Sequence, residues 1–168
     1  MNRLSVVRAG IRSGLIVGVG AVFIVLIGMV QTFAKRYLTG DITLAMVILL
    51  TFGLAAGVLA ARQVARSSPE LGPKVLAAAI SGLITGVMLA GLLLVVSQVS
   101  LREVLVNATP EMVAALSFGL PLSGAAGLLT GISVAMAVIA VLSGLLPPRL
   151  RRALLAGVMA VILVGRIW

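Results

Sequence analysis

The segment SGLIVGVGAVFIVLIGMVQTFA, residues 13–34, decides the fold because it runs for 22 residues without a charged side chain. A helix that crosses the hydrocarbon core of a bilayer needs about 20 mainly apolar residues. Arg12 precedes the segment and Lys35 follows it. The apolar core of a secretory signal is only about 7–15 residues long. We therefore interpret residues 13–34 as a permanent transmembrane helix.

The composition of the whole chain places it in the same class. Of the 168 residues, 61% are apolar and 10% are charged, whereas a soluble domain has about 45–50% apolar and about 25% charged residues. So few charges do not cover a water-soluble globule of this size, which excludes a soluble enzyme, a nucleic-acid-binding protein and a disordered tail. The sequence predicts an all-α integral membrane protein in a single helical domain over residues 1–168.

Three further apolar runs are long enough to span a bilayer, at residues 42–61, 75–99 and 122–146. The short linker before the second run makes the first two helices a hairpin, and Asp41 is the expected N-cap of the second helix. The linker between the second and third runs is rich in Ser, Pro and Gly, which is typical of a polar loop.

Two shorter helices are predicted, one near 101–119 and one near 153–167. Thr109 as cap, Pro110 at the first helical position and Glu111 in the first turn are typical of a helix start. The apolar stretch from 112 to 146 is too long for one span. Either a short helix ends near Gly119 and a span follows, or one tilted helix is kinked at Pro121; we favour the first. The segment 153–167 is interpreted as a fifth helix cut short or as the start of a longer chain.

The segments outside the predicted spans carry alternately more and fewer basic residues along the chain. The N-terminal segment, the second connection and the fourth connection carry three each: Arg3, Arg8, Arg12, Arg62, Arg66, Lys74, Arg149, Arg151 and Arg152. The first connection carries two (Lys35, Arg36) and the third carries one (Arg102). Because Lys and Arg accumulate on the cytoplasmic side, we expect the N-terminus in the cytoplasm.

Each predicted span contains two glycines four residues apart, a spacing that lets helix backbones approach closely in lipid. These are Gly14, Gly18, Gly53, Gly57, Gly82, Gly86, Gly127 and Gly131. Polar side chains within the spans are candidates for hydrogen bonds between helices or, alternatively, for a polar substrate path: Gln31, Thr51, Ser81, Thr85, Gln98, Ser123, Thr130 and Ser133.

Residues that commonly carry catalysis are scarce. The chain has no His and no Cys, and its four acids (Asp41, Glu70, Glu103, Glu111) lie in the connections. Ion pumps place ionisable groups inside the membrane, and no phosphate-binding loop pattern is present. We therefore predict no enzyme activity, no catalytic residue, no metal site and no bound cofactor.

Three stretches carry a resemblance: IGMVQTFAKR at 27–36, VLVNATP at 104–110 and LLPPRLRRALL at 145–155. In this order, separated by glycine-rich spans, they resemble the amino-terminal membrane region of bacterial branched-chain amino acid ABC transporter permeases. The resemblance implies a multi-pass protein of the bacterial plasma (inner) membrane, with other membrane subunits, a separate ATPase subunit and a substrate-binding protein as partners. The broken helices of the permease core and its ATPase-docking segment have no counterpart here, so the resemblance implies no substrate-contacting residue. A structural or accessory membrane subunit and a small oligomeric channel or exporter are the alternatives.

The predicted topology is tested by single cysteines, because the natural chain contains none. We expect Arg66→Cys and Arg102→Cys to react with a membrane-impermeant maleimide from opposite sides, since the third predicted span separates them. Labelling in intact cells is compared with labelling after lysis, and the cysteine-free chain is the control. Labelling of both positions from one side contradicts the four-span topology.

Overall fold

The computed structural model describes residues 3–39, 42–98 and 109–145. Its elements are six α-helices, two short strands and a closing 3-10 turn: α1 (Arg3–Leu26), α2 (Met29–Thr32), β1 (Tyr37–Thr39), β2 (Ile42–Thr43), α3 (Leu44–Ala65), α4 (Leu71–Gln98), α5 (Pro110–Ser117), α6 (Leu122–Leu142) and the turn Ser143–Leu145. Four helices, α1, α3, α4 and α6 with its turn, are long and apolar enough to cross a membrane. The predicted helical membrane class is thereby confirmed, and the predicted helix near 153–167 lies outside the described residues.

The first helix differs from the predicted span at both ends. It begins at Arg3 and not at residue 13, because a helix extends beyond the hydrocarbon core when long basic side chains keep their charged heads in water. It ends at Leu26 because Gly28 adopts a left-handed φ of 91°, a conformation that favours glycine. The short helix α2 then replaces the last turns of the predicted 13–34 span.

A short β-hairpin joins α2 to α3. Strands β1 and β2 pair antiparallel, with Tyr37 opposite Thr43. The Thr43 side chain accepts a hydrogen bond of 3.3 Å from the Met46 backbone N–H. Thr43 therefore fills the N-cap role that was expected of Asp41, which lies outside the described residues, and α3 begins at Leu44 and not at 42.

The connection before α6 follows the first of the two alternatives that the sequence left open. The Thr109 side chain accepts from the Met112 backbone N–H at 3.4 Å, and Pro110 stands at the start of α5. The chain then reverses through Phe118 (φ 53°) and Gly119 (φ 74°), and Pro121 precedes α6. The predicted short helix is confirmed over 110–117, and residues 101–108 lie outside the described ranges.

The four long helices run alternately up and down. At one end, Val6 at the start of α1 clusters with Ala60 and Val64 at the end of α3 and with Ala77 at the start of α4. The opposite ends meet in a larger core that includes Val25, Leu49, Leu93, Met112 and Ala125. Helices α3 and α4 both contact α1 and α6 and also each other. The middle pair therefore separates α1 from α6.

Many of the buried side chains are small, and many large apolar side chains are exposed on the outside of the bundle. Ala56, Ala60 and Ala77 are completely buried, whereas Phe23 is 63% exposed and Val19 is 59% exposed. A soluble bundle buries its large apolar residues, because burial removes them from water. An outer surface of large apolar side chains is suited to contact with lipid tails.

The reversal between α5 and α6 depends on Gly119. We expect Gly119→Ala to lower the unfolding free energy by about 1–2 kcal/mol, because a side chain disfavours the left-handed conformation. Gly20→Ala is the control: Gly20 is helical, and an added methyl group would meet no atom of the described part of the chain within 4 Å, so this change is expected to be neutral or stabilising. Denaturant titrations in detergent micelles, followed by circular dichroism, measure both. Equal effects of the two changes contradict a conformational role for Gly119.

Candidate functional site

The candidate site is built from two features, the small-residue contacts inside the bundle and a basic cleft at one end. The first contact joins α1 to α4. A methyl group on Gly10 would lie 2.8 Å from the Ala77 carbonyl oxygen, and one on Gly14 would lie 2.8 Å from that of Ser81. One on Gly18 would collide with the Met88 thioether. This face of α1 admits α4 only because it lacks side chains.

A second set of contacts joins α6 to both middle helices at Ser133 and Ala137. A methyl group on Gly53 of α3 would lie 3.0 Å from the Ser133 carbonyl oxygen, and one on Gly82 of α4 would lie 2.6 Å from the same oxygen. A methyl group on Gly57 would collide with the Ala137 backbone. The α6 backbone therefore sits in a groove between α3 and α4 that glycines line.

Two of the predicted packing glycines take no part in these contacts. A methyl group on Gly127 or Gly131 would meet no atom of the described residues within 4 Å. The α6 face that does pack carries Ala125, Leu129 and Ser133, all buried. The expectation of a helix contact at Gly127 and Gly131 is thus corrected, because these glycines lie on the opposite face of α6 from its neighbours.

Two of the predicted polar residues connect helices. Ser81 of α4 donates a hydrogen bond of 3.1 Å to the Ala56 carbonyl of α3, and Thr85 donates one of 3.3 Å to the Gly14 carbonyl of α1. Both hydroxyl groups are fully buried. Ser81 and Thr85 lie one helical turn apart, and through them α4 is hydrogen-bonded to both α3 and α1.

Four of the remaining polar candidates bond within their own helix or lie on the surface. Thr51 and Thr130 donate to carbonyls of their own helices, Ile48 at 2.6 Å and Ala126 at 2.9 Å. Gln98 and Ser123 are exposed, and the buried Gln31 Oε1 atom has no hydrogen-bond partner within the described part of the chain. The sequence pattern missed Ser13, whose buried hydroxyl also has no partner there, and Gly10. Gly10 lies four residues before Gly14, the same spacing as in the predicted glycine pairs, and this spacing is the signal that could have identified Gly10 as a packing residue.

The bundle brings six of the predicted topology-setting residues to one end. Arg3, Arg8 and Arg12 lie in the first turns of α1; Arg62 and Arg66 lie at the end of α3, and Lys74 lies at the start of α4. Glu70 is the acid in the α3–α4 connection. Arg149, Arg151 and Arg152 lie outside the described residues.

A cleft of about 410 Å³ opens at this end between α1 and α3. Its α1 wall consists of Leu4, Ser5, Arg8, Ala9 and Arg12, and Gln63 lines it from α3. Sequence reasoning assigned the arginines to topology alone and missed Gln63, because only the packed helices bring it opposite them.

The arrangement offers hydrogen-bond donors and positive charge. Within residues 3–39, 42–98 and 109–145, no three acidic or other metal-binding side chains come together. Comparison of the chain with known protein families, with curated proteins and with solved structures finds no match. The function is therefore inferred from the fold, the small-residue contacts inside the bundle and the basic cleft.

The need for glycine at the contact between α4 and α6 is tested by two alanine substitutions, one inside the contact and one outside it. We expect Gly82→Ala to lower the unfolding free energy by about 1–3 kcal/mol, because the added methyl group forces two backbones apart. Gly131→Ala inserts the same group where no atom of the described residues lies within 4 Å and is expected to be neutral or slightly stabilising. Denaturation in mixed micelles compares the two. A Gly131→Ala loss as large as that of Gly82→Ala contradicts the packing described.

Proposed function

We propose that this chain is a membrane-embedded part of an ABC-type permease that resembles branched-chain amino acid importers. In this role it is not itself an enzyme, and ATP hydrolysis takes place on a separate subunit. The three stretches at 27–36, 104–110 and 145–155 support the proposal through their resemblance to the amino-terminal region of such permeases. The chain then serves as a helical scaffold beside the translocation path.

The observation that carries the scaffold role is the close contact in the middle of the bundle. Gly53 and Gly82 hold the α6 backbone so near that a single methyl group does not fit without displacement. The buried Ser81 and Thr85 hydroxyls are engaged with backbone carbonyls of neighbouring helices. Because the chain fills this space with its own atoms, a solute path between α3, α4 and α6 is disfavoured.

The same observation favours a second candidate, a structural or accessory membrane subunit without a transport path of its own. Both candidates need lipid-embedded partner subunits. They differ in whether amino acid uptake requires the chain. A small oligomeric channel or exporter needs a solute path between copies of the chain. Solute flux through liposomes that contain only the purified chain tests this alternative.

The proposed orientation places the arginine-rich end of the bundle in the cytoplasm of a bacterial cell. The six basic side chains gathered there outnumber the basic residues of the β-hairpin end, where Lys35 and Arg36 lie. Since cytoplasmic loops carry the excess of Lys and Arg, the N-terminus of α1 faces the cytoplasm.

The proposal is tested by uptake of radiolabelled leucine, isoleucine and valine into cells that lack the chain. We expect uptake to fall on deletion and to return with the wild-type chain. Gly82→Leu, which disrupts the α4–α6 contact, is expected to restore far less uptake than Gly131→Leu at equal membrane abundance. Unchanged uptake of all three amino acids after deletion rejects the permease role and leaves the accessory subunit.

Reconstitution separates the scaffold from the channel. We expect liposomes that contain only the purified chain to show no leucine flux above protein-free liposomes, because the path belongs to other subunits. Leucine flux that rises with the amount of chain per liposome contradicts the scaffold role and supports the oligomeric channel.

A further inference from the structure

We propose that the cleft between α1 and α3 binds the phosphate headgroup of an anionic phospholipid. The cleft is lined by Arg8 and Arg12, which stand one helical turn apart on the same side of α1, and by Gln63 of α3. Two guanidinium groups supply paired N–H donors that fit phosphate oxygens, and the Gln63 amide supplies a further donor. None of the described residues that line the cleft is acidic.

The two arginines differ from the cations at the opposite end. There, Lys35 lies 3.9 Å from the Glu111 carboxylate, and the Arg36 guanidinium lies over the Phe33 ring at 5.5 Å. At the basic end, Lys74 donates to the Pro69 carbonyl at 2.7 Å. Among the described residues, Arg8 and Arg12 have no such partner, and their like charges repel one another at this spacing. A bound anion relieves that repulsion.

The depth of the cleft matches that of lipid phosphates. Helix α3 is free of charge from Leu44 to Ala61, which at about 1.5 Å per residue gives about 27 Å. The hydrocarbon core is about 30 Å thick. Gln63 therefore lies just beyond the edge of the core. Arg12 is the first charge on α1 counted from the membrane interior, so both walls of the cleft reach the headgroup layer.

The surroundings of the cleft also favour a lipid over a free anion. Leu15 and Ile16 lie about one turn deeper in the membrane than Arg12 on α1 and are exposed, so they offer apolar contact to the upper acyl carbons of a lipid whose phosphate lies at the arginines. Phospholipid phosphates are concentrated at this level of the bilayer, and basic pockets between transmembrane helices on the cytoplasmic side suit anionic headgroups. The inference needs only a membrane-spanning bundle and does not depend on the permease role.

Native mass spectrometry of the full chain in detergent tests the proposal with phosphatidylglycerol and phosphatidylcholine of identical acyl chains. We expect phosphatidylglycerol to bind at least about tenfold more tightly, a preference set by two arginines in one site. Arg8→Gln with Arg12→Gln is expected to abolish the preference. Arg62→Gln with Arg66→Gln removes the same charge from the same end outside the cleft and is expected to retain it.

Two further arms make the outcome decisive. Arg8→Lys with Arg12→Lys keeps the charge and loses the planar donor pairs, so we expect a smaller loss than with glutamine. Equal losses in the cleft pair and the control pair overturn the proposal, because they indicate a general surface potential. Displacement of phosphatidylglycerol by millimolar inorganic phosphate overturns the lipid assignment in favour of a simple anion site. Circular dichroism verifies that every variant keeps its helical content.

Discussion

The structure depends on backbone-to-backbone contact between helices that have no hydrophobic reason to associate. In lipid, burial of an apolar side chain gains little, and van der Waals packing with a few hydrogen bonds holds helices together. Helix α4 makes most of these contacts. Its Ser81 and Thr85 hydroxyls reach α3 and α1, while its Gly82 and Gly86 admit α6. A side chain at Gly82 or Gly86 displaces α6, since the nearest atoms there belong to the α6 backbone.

The same contacts determine where function can reside. Among the described residues, the backbones at Gly53, Gly82 and Ser133 are too close to admit one added methyl group without displacement, which disfavours a solute path at that contact and leaves the lipid-facing sides and the two ends as candidate surfaces for function. The apolar outer face, with side chains such as Val19 and Phe23, suits lipid or other membrane helices. The basic end combines positive charge with a cleft. This division supports a scaffold that acts through its neighbours.

Hydropathy predicted the existence of four long helices because apolar length reports directly on the bilayer thickness. It did not predict their ends. The first helix ends at Leu26 because Gly28 adopts a left-handed backbone conformation, and α3 begins after Thr43, whose side chain caps it with a hydrogen bond. Neither feature changes the hydropathy. The glycine spacing likewise predicted a small-residue face on each helix but not whether another helix packs against that face. Gly82 and Gly127 stand in the same sequence pattern, yet among the described residues only Gly82 lies against a neighbouring helix. The cleft needed Gln63 beside α1, a proximity that only packing creates.

The positions of the arginines at the basic end are more specific than membrane orientation requires. Orientation depends on the number of Lys and Arg residues near a membrane side, and any position in the loops satisfies that requirement. Arg8 and Arg12 instead share one side of α1, where their mutual repulsion is unfavourable, and they face a cleft with an amide on its far wall. The up-and-down order of the helices is what brings Gln63 to them. The antiparallel packing that closes the bundle interior thus also assembles a cationic cleft at the level of the lipid headgroups.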